Sequence, residues 1–233
     1  MKKNVTALLL FLLVLIMLTS CRENVMTSEV LVAKCTEALG SYSVINNIET
    51  LRIKAVYPDH GDVPREFEMI RPNKSQNPLA GLVFDGERAC FLNGMDGVSQ
   101  PEIVDPEEWK DYEVEIGYHF PAFLDHPAVY QGIKEIDDKY YYKLGVNLPL
   151  GAKMFYLIDR ETFLTAKVEF EFMMHGELFR NWRDFSDYKD VDGFKYPHKF
   201  TYGSRTGRQK GWIHSVEINA EIDDENFKIP QDV

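Results

Sequence analysis

Cysteine, positive charge and catalytic patterns are all scarce in this chain. Only Cys21, Cys35 and Cys90 occur in 233 residues, and nothing near any of them has zinc-ligand spacing. His60, His119, His126, His175, His198 and His214 are scattered, with no G-x-S-x-G, H-E-x-x-H or glycine-rich phosphate loop. Neither an enzyme nor a cofactor is therefore expected. His119 and His126 stand seven apart, but Pro121 between them breaks the helical face a metal would need. The acidic pairs Asp137-Asp138 and Asp223-Asp224 fall in turn-like stretches, where carboxylates cap backbone amides rather than move protons. Lysine and arginine number 26 against 37 acidic residues, a net charge of −11. That balance argues against nucleic acid as a partner and against electrostatic adhesion to anionic lipid.

Long apolar runs are also missing, apart from Ala7 to Leu18 behind Lys2 and Lys3. This is the layout of a secretory signal, and it falls short of the roughly 20 apolar residues a bilayer span needs. Leu18-Thr19-Ser20-Cys21 resembles the bacterial lipobox, which implies cleavage after residue 20 and a diacylglycerol on the Cys21 thiol. The expected organisation is a cleaved signal over 1–20, a lipidated tether over 21–27 and one domain over 28–233. Arg22 stands where an aspartate would retain an enteric lipoprotein at the inner membrane, so the expectation is an outer-membrane anchor facing the periplasm. Without residues 1–20 the chain keeps 24 basic against 37 acidic residues, a net −13. In an oxidising periplasm Cys35 and Cys90 are either bridged or two buried thiols, and spacing does not decide between them.

Ser28 is placed to cap a helix carrying Val30, Leu31, Cys35, Ala38 and Leu39, with Gly40 as its stop. Leu51, Ile53, Ala55 and Tyr57 then alternate with Arg52 and Lys54, as in a half-buried strand, and Phe67 and Met69 repeat the pattern. Asp85-Gly86 reads as a hairpin turn between Leu82 to Phe84 and Ala89 to Leu92. Asp105-Pro106-Glu107-Glu108 predicts a helix start ahead of Trp109, Tyr112 and Ile116; Pro121 then sets Phe120, Phe123 and Leu124 on a separate short helix or kinked arm. Strands are expected at 129–136, 140–147, 153–158, 163–172, 178–188, 194–202 and 212–221, with 204–209 separating the last two. Leu164, Ala166, Val168, Phe170 and Phe172 face one way and Thr165, Lys167, Glu169 and Glu171 the other. The fold class is α+β, with one strongly curved antiparallel sheet. The apolar stripe fits either a ligand cavity or a packed core; Phe120, Phe123 and Leu124 fit either a movable lid or a fixed plug.

Arg71-Pro72-Asn73, Val83-Phe84-Asp85-Gly86-Glu87 and Phe91-Leu92-Asn93 resemble, in order and spacing, the periplasmic lipoprotein carriers of the LolA/LolB-like family. Leu157 to Leu164, Tyr188 to Pro197 and Asp223 to Pro230 are similar to outer-membrane lipoprotein-sorting proteins more broadly. The resemblance implies an unclosed β-barrel whose concave face is covered by helices and holds the acyl chains of lipids or lipoproteins. It makes Leu51, Ile53, Leu164, Ala166, Val168, Phe170 and Phe172 cavity candidates. Phe120, Phe123 and Leu124 become lid candidates, and Arg71 a latch that keeps the empty cavity shut. Asn73, Asp85 and Gly86 match as turn residues. Two features depart from the carrier: it is not acylated, and Cys90 stands where it has a tryptophan. A tethered receptor of acyl chains is one expectation; an envelope sensor or scaffold with a protein partner is the other.

Overall fold

A computed structural model describes residues 26–58, 61–77, 81–93, 100–204 and 207–231. The signal segment, Cys21 and most of the tether lie outside the described residues.

Two helices come first, α1 (Ser28–Leu39) and α2 (Tyr42–Asn46). The cap of α1 is Thr27, whose hydroxyl accepts the Val30 N–H; Ser28 instead accepts the Tyr130 N–H and ties the helix start to the sheet. Gly40 ends α1 with φ +152°, and a side chain there would collide with the Gly193 carbonyl.

The strands form one antiparallel sheet. In chain order they are β1 (Thr50–Val56), β2 (Arg65–Ile70), β3 (Lys74–Asn77), β4 (Leu82–Phe84), β5 (Ala89–Phe91) and β6 (Glu102–Ile103). After the central helix come β7 (Ala128–Ile136), β8 (Lys139–Asn147), β9 (Lys153–Asp159), β10 (Thr165–Met174), β11 (Glu177–Val191), β12 (Phe194–Ser204) and β13 (Gly207–Ile218). The spatial order is β6-β5-β4-β3-β2-β1-β13-β12-β11-β10-β9-β8-β7, so β1 and β13 meet in the middle while β6 and β7 are open edges. The barrel is therefore not closed. The connection from β6 to β7 joins the two edges, and it carries α3 (Trp109–His119) and the 3-10 turn Ala122–Leu124 across the inner face.

The inner face is apolar. Leu51, Ile53 and Ala55 from β1, Met154, Tyr156 and Ile158 from β9, and Val168, Phe170 and Phe172 from β10 meet Leu31, Cys35 and Leu39 of α1 and Val114 and Tyr118 of α3 in one core. Across β3 to β5 both faces are covered. Phe84 and Ala89 pack on Ile116 of α3, while Val83 and Cys90 pack on Phe227 and Ile229 of the C-terminal segment. Cys35 and Cys90 thus sit in different clusters, and both are free thiols.

Some local expectations are corrected. The helix over 109–119 starts three residues after Pro106; Asp105 caps the preceding turn, its carboxylate accepting the Glu107 N–H at 2.8 Å. β12 runs to Ser204 and β13 begins at Gly207 rather than Trp212, so 204 and 207–209 of the expected loop belong to strands. In β10 the pairing with β9 slips between Thr165 and Lys167, a bulge that turns Thr165 inward beside Val168. Ala166 consequently leaves the inner stripe and lines an outer crevice with Lys167 and Asp184. Leu164 precedes the strand and packs on the core's margin, partly buried.

Candidate functional site: a helical cover over an apolar floor

Arg71, at the end of β2, points under the helical segments. Its Nη1 donates to the Ile45 and Ile48 carbonyls at 2.7 and 2.6 Å, around the end of α2. Nη2 and Nε donate to the two carboxylate oxygens of Asp125, just past the 3-10 turn, at 2.5 and 3.2 Å. The guanidinium also lies over the Phe120 ring, 4.1 Å from its centroid. One side chain, 16% exposed, therefore clamps a strand end to α2 and to the segment that follows α3. Arginine suits this position because its planar fork serves several acceptors at once. The turn candidates make turn contacts: the Asn73 amide donates to the Gly86 carbonyl, and the Asp85 carboxylate accepts the Glu87 and Arg88 N–H groups.

The lid candidates are all in the cover. Phe120 and Phe123 are buried, Leu124 is partly so. Phe120 meets Phe194, and Phe123 stands edge-on to Tyr156 with centroids 5.0 Å apart. Tyr156, on the floor, accepts the Ala122 N–H at 2.7 Å and donates to the Gly117 carbonyl at 2.9 Å, so a single hydroxyl pins both ends of the break at Pro121. Helix and sheet approach closely at Gly117, where an added Cβ would lie 2.4 Å from the Met154 sulfur.

Of the cavity candidates, Leu51, Ile53, Val168, Phe170 and Phe172 lie on the inner face and are buried. They are covered rather than open. Between α1, α3 and the floor lies a recess of about 20 Å³, walled in part by Leu39, Tyr156, Thr165, Val168, Tyr188 and Tyr196, and between α3 and β2 to β4 lies another of about 150 Å³, lined in part by Phe67, Met69, Tyr112 and Glu115. The first has room for about one water molecule, too little for an acyl chain.

A polar cluster lies inside this seam. Arg183 of β11, 7% exposed, faces inward and reaches Glu115 of α3 at 3.2 Å. The His119 ring, 4% exposed, sits between the Glu115 carboxylate (3.0 Å) and the Tyr196 hydroxyl (2.7 Å). Burial opposes ionisation of Glu115, but the Arg183 charge and the His119 bond outweigh it and hold the carboxyl at about 2. Burial keeps His119 below its usual value. Its neutral tautomer with Nε2 donating to Glu115 and Nδ1 accepting from Tyr196 satisfies both ring nitrogens. Glu115 and His119 are spaced i, i+4 on one helix face, a sequence signal for a shared partner. Arg183 stands 68 residues further on, so only the fold supplies it.

No family profile matches the chain, and no curated protein matches it in sequence. Solved structures do match. A LolA superfamily protein from Nitrosomonas europaea superposes with a TM-score of 0.52 at 15% identity, over 88% of this chain and 98% of that one. A putative outer membrane lipoprotein-sorting protein domain from Vibrio parahaemolyticus gives 0.51 at 9% identity, over 86% and 97%. A DUF1329 family protein from Desulfovibrio piger gives 0.52 at 10% identity, over 86% and 96%. At these identities the likeness is one of fold: the chain has the open-barrel fold of LolA superfamily proteins.

Proposed function

We propose that this chain is a membrane-tethered periplasmic binding protein for the acyl chains of lipids or lipoproteins, serving lipoprotein sorting or lipid handling at the outer membrane without catalysis. In this reading residues 1–20 are removed as a signal, Cys21 carries the acyl anchor, 21–27 form the tether and 28–233 the binding domain. The observation that carries it is the Arg71 clamp, which closes helices over an apolar floor through polar contacts that water can replace. A plain core does not need such a device, since apolar contacts alone would hold it. Opening exposes Val168, Phe170 and Tyr156, and an acyl chain gains about 0.8 kcal/mol for each methylene it buries there. The fold shared with a lipoprotein-sorting domain supports the same reading. The test is to purify the full chain carrying Cys21→Ser, so that no anchor lipid confuses the result, and weigh it natively. Co-purifying lipid, or uptake of added palmitate or diacylglycerol, is expected; a chain that stays empty under both conditions contradicts the proposal.

A second reading, an envelope sensor or scaffold with a protein partner, draws on how closely the floor is packed under α1 and α3, where the recess beside Val168 measures about 20 Å³. In-cell crosslinking that yields a reproducible protein partner, with no lipid on the purified chain, would favour it.

A further inference from the structure

Among the described residues, Arg183 is a charge set into the apolar inner floor that the Arg71 contacts do not explain. Its neighbours across the sheet are Val168 on β10 and Tyr202 on β12. Phe200 of β12 and Tyr118 of α3 present rings 5.2 and 3.9 Å from the guanidinium carbon. Among the described residues the one carboxylate it bonds is Glu115, through Nη1 and Nη2 at 3.2 to 3.3 Å. Well-formed guanidinium–carboxylate pairs are closer, about 2.7 to 2.9 Å. The buried Nε has no hydrogen-bond partner among the described residues. A packed interior gains little from such a residue, because apolar side chains of similar volume usually serve stability as well or better.

The two partners are not equivalent. Arg183 belongs to the floor and its side chain is 8% exposed, whereas Glu115 rides on α3 and is 28% exposed. When α3 lifts, Glu115 and Tyr118 leave together, and Arg183 remains on the floor beside Val168 with Tyr57 as a neutral polar neighbour and its carboxylate partner gone. An acyl chain laid over an unpaired guanidinium would meet a heavy desolvation penalty. The occupant therefore has to bring an anion of its own.

We infer that Arg183 is the head-group anchor of the cavity and that its ligand is an acyl lipid with an anionic head, a carboxylate or a phosphate, whose place Glu115 takes in the shut form. This inference rests on the lipid-binding reading above and narrows it. The carboxylate of a free fatty acid and the phosphate of a phospholipid share the required chemistry, a delocalised anion that accepts two parallel N–H bonds.

The test is native mass-spectrometric titration of the full chain carrying Cys21→Ser with two matched pairs: dodecanoate against methyl dodecanoate, and lysophosphatidylglycerol against monoacylglycerol. At least one anion should bind about tenfold to a hundredfold more tightly than its neutral partner, as bonds to charged groups allow. Preference in the first pair supports a fatty acid, preference in the second a phospholipid. Arg183→Met should bring the ratio to about one, while Glu115→Gln, which frees the arginine, should raise anion affinity several-fold. Should Arg183→Met fail to fold, the double variant Arg183→Met/Glu115→Gln removes both charges and leaves neither unpaired; it too should show a ratio of one. Equal binding of anion and ester, or a preference that survives loss of Arg183, overturns this inference and leaves lipid binding intact. Binding of neither overturns both.

Discussion

Replacing Arg71 by leucine removes the clamp while keeping an apolar body over Phe120. The lost contacts are two carbonyl bonds at 2.7 and 2.6 Å and a forked pair to Asp125 at 2.5 and 3.2 Å. Bonds to charged groups are worth roughly 1.5 to 3 kcal/mol each, and breaking a buried pair costs about 3 to 5 kcal/mol because a lone charge remains. Asp125 is 15% exposed and gains water as the cover loosens, which recovers part of that cost. A net loss of about 3 kcal/mol from the shut form is reasonable, and it shifts the open-to-shut ratio roughly a hundredfold. Hydrogen exchange reads this directly. Amides around α2 and residues 122–126 should lose protection in the variant, amides of β9 to β12 should not, and the variant should retain more lipid than its parent. Arg71→Lys keeps the charge but cannot serve Ile45, Ile48 and Asp125 together, so it should fall between the two. A folded Arg71→Leu chain with parental exchange at α2 and 122–126, and no gain in lipid, would refute the latch.

Glu113, buried under α3 with its carboxylate accepting the Leu150 N–H, is raised by burial from 4.5 to about 7. A carboxyl raised in the folded state costs stability as pH climbs from 4.5 to about 7, after which the cost levels off. Glu113→Gln should therefore match its parent below that window and exceed it above, by up to about 3 kcal/mol in denaturant unfolding; a gain confined to low pH would reverse the assignment. Gly117→Val should push α3 away from Met154 and Tyr156 and raise lipid uptake, as Arg71→Leu does; uptake unchanged in a folded variant would mean the contact is not part of the cover. Burial pushes the Cys35 thiol up to about 12 and also raises Cys90, so in Cys21→Ser two thiols should resist alkylation until the chain is unfolded. Rapid labelling of either in the native chain would contradict that burial.

The hairpins were legible because period-two alternation and turn residues such as Asp85-Gly86 and Asp192-Gly193 are local signals. β3 and β6 were not, being four and two residues long with no apolar rhythm of their own. The inner stripe of β10 starts one residue out of phase with plain alternation, Thr165 rather than Ala166 facing inward. A bulge conserves composition while reversing the side chains, and nothing in Leu164-Thr165-Ala166-Lys167 announces it. At the site, Arg71 was identifiable through its motif, but its acceptors were not: two are backbone carbonyls and the third, Asp125, lies 54 residues away. The Glu115, His119, Arg183 and Tyr196 cluster escaped for the same reason. Its halves sit on a helix and on two strands, and only the crossing of α3 over the sheet brings them together.

The central claim is that the cover opens and acyl chains lie on the inner floor. A diazirine-bearing acyl chain, photolysed on the Cys21→Ser chain and mapped by peptide mass spectrometry, tests it most directly. Adducts on the peptides carrying Tyr156, Val168 and Phe170 are the predicted result. Adducts confined to outer-face residues such as Trp182 and Trp212, or no adducts at all, would contradict it.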